Sequence, residues 1–296
     1  MAKIPKVLGF DIGGTKVAWG VVQEDGELTL QGEFPTPHNK EDLLEKIATV
    51  VEQAGKIKAI GAGIAGVTSA SHQDIVVFPN IPELSHFQIV KELRQSFGVP
   101  IALDNDARCA LVGESWLGSA QETSSAVLIT IGTGVGGAVK QKGLVLPHPT
   151  DVSNEIGHIV ADPQDLLPTP SGRGTIEALI GGKNLELRFG VPMSEVAIGA
   201  KAKNPEDVEL FKIISNYFLL CIRAIVDVYN PRIIIVGGRG SEELDLYLQD
   251  EPPRPVIAAS LGKMAGVFGA ARLALDMFER QLEEDKEWDE VDEDEE

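Results

Sequence analysis

Cysteine is scarce in this sequence. Only Cys109 and Cys221 occur among its 296 residues, which excludes a disulfide scaffold and a cysteine-rich metal site. We expect a reducing, cytoplasmic location. Long apolar runs are also missing, because none approaches the roughly 20 residues of a membrane helix. The first apolar run stops at Asp11, which does not fit a secretory signal. We therefore expect no membrane partner.

Positive charge is the second deficit. The formal net charge is −19, and residues 279–296 contain twelve acidic and two basic side chains. Phosphate contacts dominate nucleic-acid affinity, so an acidic chain argues against a nucleic-acid partner. Residues 284–296 predict an acidic, disordered tail. Solubility alone and a docking role are both open for that tail.

Two stretches of the chain repeat one design. Residues 7–14 (VLGFDIGG) and 127–137 (VLITIGTGVGG) are apolar runs that close on paired glycines. Each predicts a strand, a glycine-rich turn, a second strand, a tight turn and a third strand. Glycine lets backbone approach a ligand closely, and successive N–H groups in such a turn suit phosphate. Two such turns predict two half-domains that grip one nucleotide, and thus phosphoryl transfer.

Strands and helices alternate along the rest of the chain, which predicts an α/β protein. The strongest helical pattern follows Asn204, a suitable cap, and Pro205, which suits the first helical position. Residues 147–174 predict a long loop, and loops of that length are usually functional.

Other nucleotide-binding classes fit the glycines poorly. GAGIAG (61–66) and GTGVGG (132–137) match the dinucleotide fingerprint, but no helix pattern follows either segment, as that fold requires. The P-loop pattern is missing as well. An ordinary tight turn is enough to explain any single glycine pair. It is a weaker explanation for three such turns that each follow an apolar strand.

Carboxylates follow one of the buried strands. Asp104, Asn105 and Asp106 come directly after it, where ligands bind in α/β sheets. Transfer of a phosphoryl group to an alcohol needs a base near the hydroxyl. A helix cap is the alternative for Asn105 or Asp106. Two further pairs, Glu155 with His158 and Arg173 with Glu177, are compatible with a solvated loop and a helix start.

Taken together, these motifs resemble the ROK sugar kinases of the actin-like ATPase and hexokinase superfamily. DIGGTK (11–16), LDNDA (103–107), GTGVGG (132–137), EIGH (155–158) and IVGG (235–238) occur in the family's order. The resemblance covers about residues 7–275. It implies two actin-like (ribonuclease H-like) α/β domains around a central cleft, with ATP and a hexose between them.

The domain boundaries follow from that resemblance. We expect a smaller N-terminal domain over residues 1–118, completed by the C-terminal helix near 264–283. A larger domain over 119–263 would carry the sugar-binding loop 147–177. The acidic tail, 284–296, lies outside both.

The resemblance also implies roles for single residues. Asp106 resembles the catalytic base, and Asp11 the residue that faces hydrated Mg²⁺. The implied sugar ligands are Gly66, Asn80, Asn105, Asp106, Glu155, His158 and Glu177. The implied nucleotide ligands are Gly13, Gly14, Thr15 and Lys16, then Gly132, Thr133 and Gly134, and finally Gly237 and Gly238 under the adenosine.

One departure from the family concerns zinc. Many members carry a cysteine-rich zinc segment with the histidine of EIGH as fourth ligand, and TPSGRGTIE (169–177) stands in its place here without cysteine. We therefore predict that structural zinc is absent, and that packing of the shortened loop, with Arg173, replaces it.

The resemblance implies an ATP- and Mg²⁺-dependent hexose kinase of carbohydrate metabolism. Glucose, phosphorylated to glucose 6-phosphate in glycolysis, is the first expectation. Fructose, mannose and N-acylhexosamines are the alternatives, and a non-catalytic sugar-sensing ROK protein is the alternative from another class. We expect a homodimer or a homotetramer.

Overall fold

A computed structural model describes residues 4–147 and 156–293, with side chains up to residue 284. The described chain divides into two compact units. The first contains residues 4–116 and 264–293, and the second contains residues 117–147 and 156–263.

The elements are as follows in chain order. The strands are β1 (Lys6–Ile12), β2 (Lys16–Gln23), β3 (Leu28–Pro35), β4 (Ile60–Ile64), β5 (Val67–Thr68), β6 (Ile75–Val77), β7 (Ile101–Asn105), β8 (Ala126–Ile131), β9 (Val135–Gln141), β10 (Leu144–Val145), β11 (Ile233–Gly238) and β12 (Val256–Ala258). The α-helices are α1 (Lys40–Ala54), α2 (Ile89–Phe97), α3 (Asp106–Leu117), α4 (Ile176–Ile180), α5 (Gly182–Phe189), α6 (Met193–Lys201), α7 (Pro205–Tyr229), α8 (Arg239–Glu242), α9 (Leu244–Tyr247) and α10 (Ala265–Glu293).

The two units contain sheets of the same design. The strand orders are β3-β2-β1-β4-β7 and β10-β9-β8-β11-β12. In each sheet the first three strands in sequence form an antiparallel meander, and two later strands add in parallel beside the first of them. The predicted α/β class is confirmed, and the sequence repeat corresponds to a repeat of sheet topology.

Helix α10 belongs to the first unit although it ends the chain. It packs across strands β1, β2, β4 and β7. Gly9 and Gly61 lie on these strands where a Cβ atom would collide with the carbonyl oxygens of Val267 and Ala270. The helix backbone therefore rests directly on the strand backbone, which only glycine permits.

In the second unit, the long helix α7 contributes to the same hydrophobic core as the sheet. Asn204 caps it by accepting a hydrogen bond from the N–H of Glu206, and Pro205 stands at its first position, as predicted. One face buries Phe211, Phe218 and other apolar side chains in the core of this unit. A buried Phe contributes roughly 1.5–3 kcal/mol relative to an exposed one.

The acidic tail differs from the sequence expectation. Helix α10 is continuous to Glu293, so the described residues from 284 onwards are helical, whereas a disordered tail was expected. Extending a helix that is already packed needs no new nucleus. Among the side chains described up to residue 284, the last buried one on α10 is Leu275. Arg272 pairs with Asp276 and Glu279 along the surface. No helix in the described residues is both long and apolar enough to cross a membrane.

Removal of the residues after Glu283 tests whether the helical extension contributes to the fold. Because Leu275 is the last buried side chain of α10 among those described up to residue 284, we expect the melting temperature to change by less than about 2 °C, since surface segments contribute little to stability. Differential scanning calorimetry of the full-length and truncated proteins measures this. A drop of several degrees would mean that the extension docks on the protein.

Candidate active site

The predicted site residues of the first unit lie at one edge of its sheet. In the parallel strand pairs, Ile12 is opposite Ile64, and Ile64 is opposite Asn105. Strands β1, β4 and β7 therefore end at the same level, and the segments that follow them converge there. In α/β sheets, ligands bind at this carboxyl edge of the strands.

Polar side chains fix the turn from β7 into α3. Asn105 Oδ1 accepts hydrogen bonds from the N–H groups of Ala107 (3.0 Å) and Arg108 (3.2 Å), so Asn105 caps the helix. Its Nδ2 donates to the carbonyl oxygen of Gly66 at 3.2 Å. Asp106 is the first helical residue, and its Oδ1 accepts from the N–H of Ala107 at 2.8 Å. The capping role that the sequence left open thus falls mainly on Asn105.

A buried ion pair lies behind this turn. Asp104 is 3% exposed, pairs with Arg108 one helical turn further on, and accepts a hydrogen bond from the N–H of Asn105 at 2.8 Å. His72 Nδ1 lies 3.1 Å from the carbonyl oxygen of Leu103 and 3.8 Å from the Asp104 carboxylate. These contacts make Asp104 a support of the turn.

Asp11 and Asp106 interact electrostatically. Burial, followed by the negative charge of Asp106, raises the pKa of Asp11 to about 7, although Lys16 opposes the shift. Asp11 Oδ2 would lie 2.6 Å from a Cβ atom on Gly266 of helix α10, so the carboxylate is packed against that helix. Two carboxylates that disfavour each other's charge in one place are typical of a functional site.

The first glycine turn closes tightly between β1 and β2. The Gly13 N–H donates to the carbonyl oxygen of Lys16 at 3.0 Å. A Cβ atom on Gly14 would lie 2.7 Å from the Cβ of Asn80, so glycine allows Asn80 to approach the turn. Lys16 Nζ lies 2.6 Å from Glu33, and both side chains are exposed, so this pair does not hold the lysine firmly.

Gly66 brings a second segment to the same edge. A Cβ atom there would collide with the carbonyl oxygen of Val77, three residues before Asn80. The structure therefore places Gly66, Asn80 and Asn105 in one neighbourhood, through the Gly66–Asn105 hydrogen bond and this backbone approach.

The second glycine turn lies at the corresponding edge of the other sheet. Ile131, which precedes it, is opposite Gly238 of β11. The carbonyl oxygens of Gly132 and Thr133 accept hydrogen bonds from the N–H groups of Gly182 and Lys183, both at 2.9 Å. The turn thus docks on the first residues of helix α5.

A cavity of about 560 Å³ opens beside this turn within the second unit. Gly132 and Thr133 line it together with two cationic side chains, Lys183 and Arg239. Its wall also contains Glu243, whose pKa is raised mainly by burial. The cavity is completed by Ile131, Gly182, Glu186, Pro192, Met193, Ser194, Gly240 and Tyr247. Gly237 and Gly238 directly precede Arg239 and Gly240.

Glu177 has partners for both of its carboxylate oxygens. Its Oε2 accepts a hydrogen bond from the N–H of Val135 at 2.8 Å, and its Oε1 accepts one from the Ser171 hydroxyl. A Cβ atom on Gly134 would lie 2.5 Å from Oε2, which requires glycine beside the carboxylate. His158 is exposed in the 3₁₀ turn Ile156–His158. Glu155 falls outside the described residues.

The shortened loop is held differently from the expectation. Arg173 is exposed, whereas Arg188 of helix α5 forms the ion pair that ties the loop down, with Asp165. Within residues 4–147 and 156–293 the structure shows no group of three or more His, Cys, Asp or Glu that could hold a metal ion. Zinc independence stays a prediction.

Sequence reasoning missed Lys183, Arg239, Ser171, Asn184 and Arg188. The cations follow glycines at 182 and 238, so positive charge next to a glycine turn could have pointed to them. The Ser171 and Asn184 contacts give no sequence signal, because these residue types are ordinary in loops and helix starts.

Comparison with known proteins agrees with this geometry. The chain is 29% identical to a glucokinase from Streptomyces coelicolor over 90% of this chain and 96% of that protein. It is 27% identical to an N-acetyl-D-glucosamine kinase from Vibrio cholerae, over 90% and 98%. The crystal structure of a ROK family glucokinase from Streptomyces griseus, in complex with glucose and AMPPNP, superposes with a TM-score of 0.77 at 28% identity, covering 92% of this chain and 99% of that one.

A protein-family model matches nearly the whole of the described chain. The relatives are sugar kinases of two different substrates, so sugar kinase activity is supported at the level of the class. The ROK family model matches residues 7–277, and the chain therefore belongs to the ROK family.

Proposed function

We propose that this protein is an ATP-dependent hexose kinase that transfers the γ-phosphoryl group to the 6-hydroxyl of glucose. The observation that carries the proposal is the Asp11–Asp106 pair at the carboxyl edge of the first sheet. The glucokinase relatives support the choice of sugar. The N-acetyl-D-glucosamine kinase relative keeps N-acylhexosamines as an alternative substrate class, with fructose and mannose beside them.

In the proposed mechanism, Asp106 accepts the proton of the attacking hydroxyl. The hydroxyl oxygen bonds to the γ-phosphorus while the bond to the β–γ bridging oxygen breaks, which releases ADP. Asn105 and Asn80 supply amide groups for neighbouring sugar hydroxyls. Gly66 lets these segments approach one another. The rigid Asn105 cap holds the base in position, and a positioned base contributes roughly 10²–10⁴-fold to the rate.

The nucleotide is assigned to the second unit. The cavity beside Gly132 and Thr133 has the size of a small-molecule site, for which roughly 300–1,000 Å³ is usual. Its Lys183 and Arg239 side chains complement phosphate charge. Gly13, Gly14 and Thr15 supply a second set of backbone N–H groups for phosphate oxygens, as the family resemblance implies.

Mg²⁺ fits the carboxylates of the first unit. This ion takes one or two protein carboxylates together with waters and substrate phosphates, and a nearby cation would relieve the unfavourable charge on Asp11. When bound, it would neutralise charge on the transferred phosphoryl group. Asp11 is the residue we assign to face it.

The proposal predicts hexose-dependent release of ADP. Purified protein with MgATP, tested with glucose, fructose, mannose, N-acetylglucosamine and N-acetylmannosamine, should release ADP fastest with glucose. Coupled-enzyme kinetics measures the rates. A faster rate with an N-acylhexosamine would reassign the substrate. Sugar binding without any ADP release would favour the non-catalytic, sugar-sensing alternative and contradict the kinase.

Asp106→Asn separates a base from a helix cap. We expect kcat to fall by at least about 100-fold, because the base is removed. Sugar Kd should change far less, since an amide still bonds a hydroxyl. The melting temperature should be kept, because the cap is Asn105 and the Asn side chain keeps the size and the Oδ1 acceptor of Asp106. Steady-state kinetics, calorimetric binding and thermal unfolding measure the three quantities.

The matched control is Asp42→Asn, the same change in the first turn of α1. It should leave kcat unchanged. A kcat of Asp106→Asn within a few-fold of wild type would remove Asp106 from the mechanism.

Asp11→Asn tests whether the charged carboxylate of Asp11 lowers the stability of the folded protein. A carboxyl whose pKa is about 7 in the folded protein, against an ordinary value near 3.8, binds more protons folded than unfolded between those values. Its contribution to stability therefore falls as the pH rises from about 4 to 7. We expect Asp11→Asn to melt higher than wild type by a margin that is larger at pH 8 than at pH 5, and to lose activity.

Thermal unfolding of both proteins at the two pH values measures that margin. An Asp11→Asn margin that is equal at both pH values, or a variant less stable than wild type at pH 8, would contradict the raised pKa. Retained kcat would contradict the assigned role.

A further inference from the structure

Residues 161–174 form a loop that backbone hydrogen bonds close just before helix α4. The N–H groups of Ala161 and Asp162 both donate to the carbonyl oxygen of Gly174, at 2.8 and 3.0 Å. The N–H of Ile176 donates to the carbonyl oxygen of Ile159 at 2.9 Å. Gly174 has φ +63°, and a Cβ atom there would collide with the carbonyl oxygen of Asp162. The two ends of the loop are thus held together at Gly174.

A buried ion pair joins this loop to helix α5. The guanidinium of Arg188 donates two hydrogen bonds to the carboxylate of Asp165, at 3.1 and 2.7 Å. The two side chains are only 12% and 8% exposed, and Arg188 also stacks over the ring of Tyr217 at 5.0 Å. The hydrogen bond from Arg188 lowers the pKa of Asp165. Bidentate geometry fixes both position and orientation.

The same helix reaches the loop through a chain of hydrogen bonds that ends on Glu177. Asn184, 5% exposed, donates from Nδ2 to the Ser171 hydroxyl oxygen at 3.3 Å and to the carbonyl oxygen of Glu177 at 3.0 Å. The Ser171 hydroxyl in turn donates to Glu177 Oε1. The opposite oxygen, Oε2, accepts from the N–H of Val135.

In this series of hydrogen bonds, the donors of Asn184 and Ser171 are all in use, but the Glu177 carboxylate can accept further hydrogen bonds. Both N–H bonds of the Asn184 amide and the single O–H of Ser171 have acceptors. Each carboxylate oxygen has two lone pairs, and each Glu177 oxygen accepts one protein hydrogen bond among those described. The carboxylate is therefore oriented and still able to accept a hydroxyl.

We propose that Ser171 and Asn184 are positioning residues for Glu177, and that the Asp165–Arg188 ion pair fixes the loop that brings Ser171 to it. In this arrangement, hydrogen bonds and one ion pair hold the sugar-binding carboxylate of Glu177 in place. The inference rests on the proposed function, since Glu177 is the residue assigned to a sugar hydroxyl.

A purely structural network would have a different signature. If Ser171 only stabilised the loop, its removal would lower the melting temperature and leave the kinetic constants of the folded enzyme alone. If Ser171 orients Glu177, its removal raises the KM for sugar and leaves the KM for ATP alone. The conservative change Ser171→Thr keeps the hydroxyl and should restore the sugar KM.

The test compares Ser171→Ala, Ser171→Thr, Arg188→Met and wild type in kinetics with varied glucose and varied MgATP. Hydrogen bonds to charged groups are strong enough that their loss corresponds to roughly ten-fold or more in binding. We expect the sugar KM of Ser171→Ala to rise roughly ten-fold on that basis, the ATP KM to stay within about two-fold, and Ser171→Thr to restore most of the loss. Arg188→Met should raise the sugar KM in the same direction.

The matched control is Ser96→Ala, which removes an exposed serine hydroxyl that bonds the carbonyl oxygen of Glu92 within α2. It should match wild type in both KM values. Thermal unfolding of each variant shows that it is folded at the assay temperature. Should Arg188→Met fail to fold, Ser171→Ala and Ser171→Thr decide the matter.

Failure of this inference is distinct from failure of the kinase assignment. An active wild-type enzyme whose sugar KM is unchanged in Ser171→Ala, or is raised equally in Ser171→Thr, overturns the positioning role alone. A wild-type protein that neither binds nor phosphorylates any of the five sugars overturns both, because Glu177 then has no hydroxyl to accept.

Discussion

The hydrogen-bonded register of the parallel strands is the constraint on which both candidate sites depend. Alignment of Ile12, Ile64 and Asn105 brings three loops to one edge of the first sheet. Alignment of Ile131 with Gly238 brings two turns to the corresponding edge of the second. A shift of one residue would turn every alternate side chain to the opposite face. The chemistry at these edges is therefore set by backbone pairing before any polar side chain contributes.

Polar groups at the two edges are held in different ways. In the first unit the capped turn at Asn105 presents Asp106 beside Asp11, and the proximity of two acids is unfavourable in itself. In the second unit the Glu177 carboxylate accepts hydrogen bonds from the N–H of Val135 and the hydroxyl of Ser171, which fix its orientation. The first site contains two carboxylates that oppose each other's charge, and the second contains one carboxylate that hydrogen bonds orient. This contrast fits a group that handles a proton and a group that only accepts hydrogen bonds.

The sequence predicts the fold well where its signals are local. Apolar runs that end in paired glycines predict both sheets, and Asn204 with Pro205 predicts the start of α7. Contacts between residues far apart in sequence could not be predicted. Asp165 and Arg188 lie 23 residues apart, and the sequence analysis expects Arg173 to help hold the loop instead. The helical state of the acidic end was also missed, because composition alone does not reveal how far the helix predicted near 264–283 continues.

The position of α10 also constrains how the chain is made. Synthesis proceeds from the N-terminus, and domains generally fold as units during it. The strands of the first unit are synthesised early. Gly9 and Gly61 can pack against the backbone of Val267 and Ala270 only after that part of helix α10 has been synthesised. The second unit, whose described residues end at Lys263, is complete sooner. During synthesis the described residues of the second unit therefore precede helix α10, and the sheet of the first unit gains the cover of that helix only afterwards.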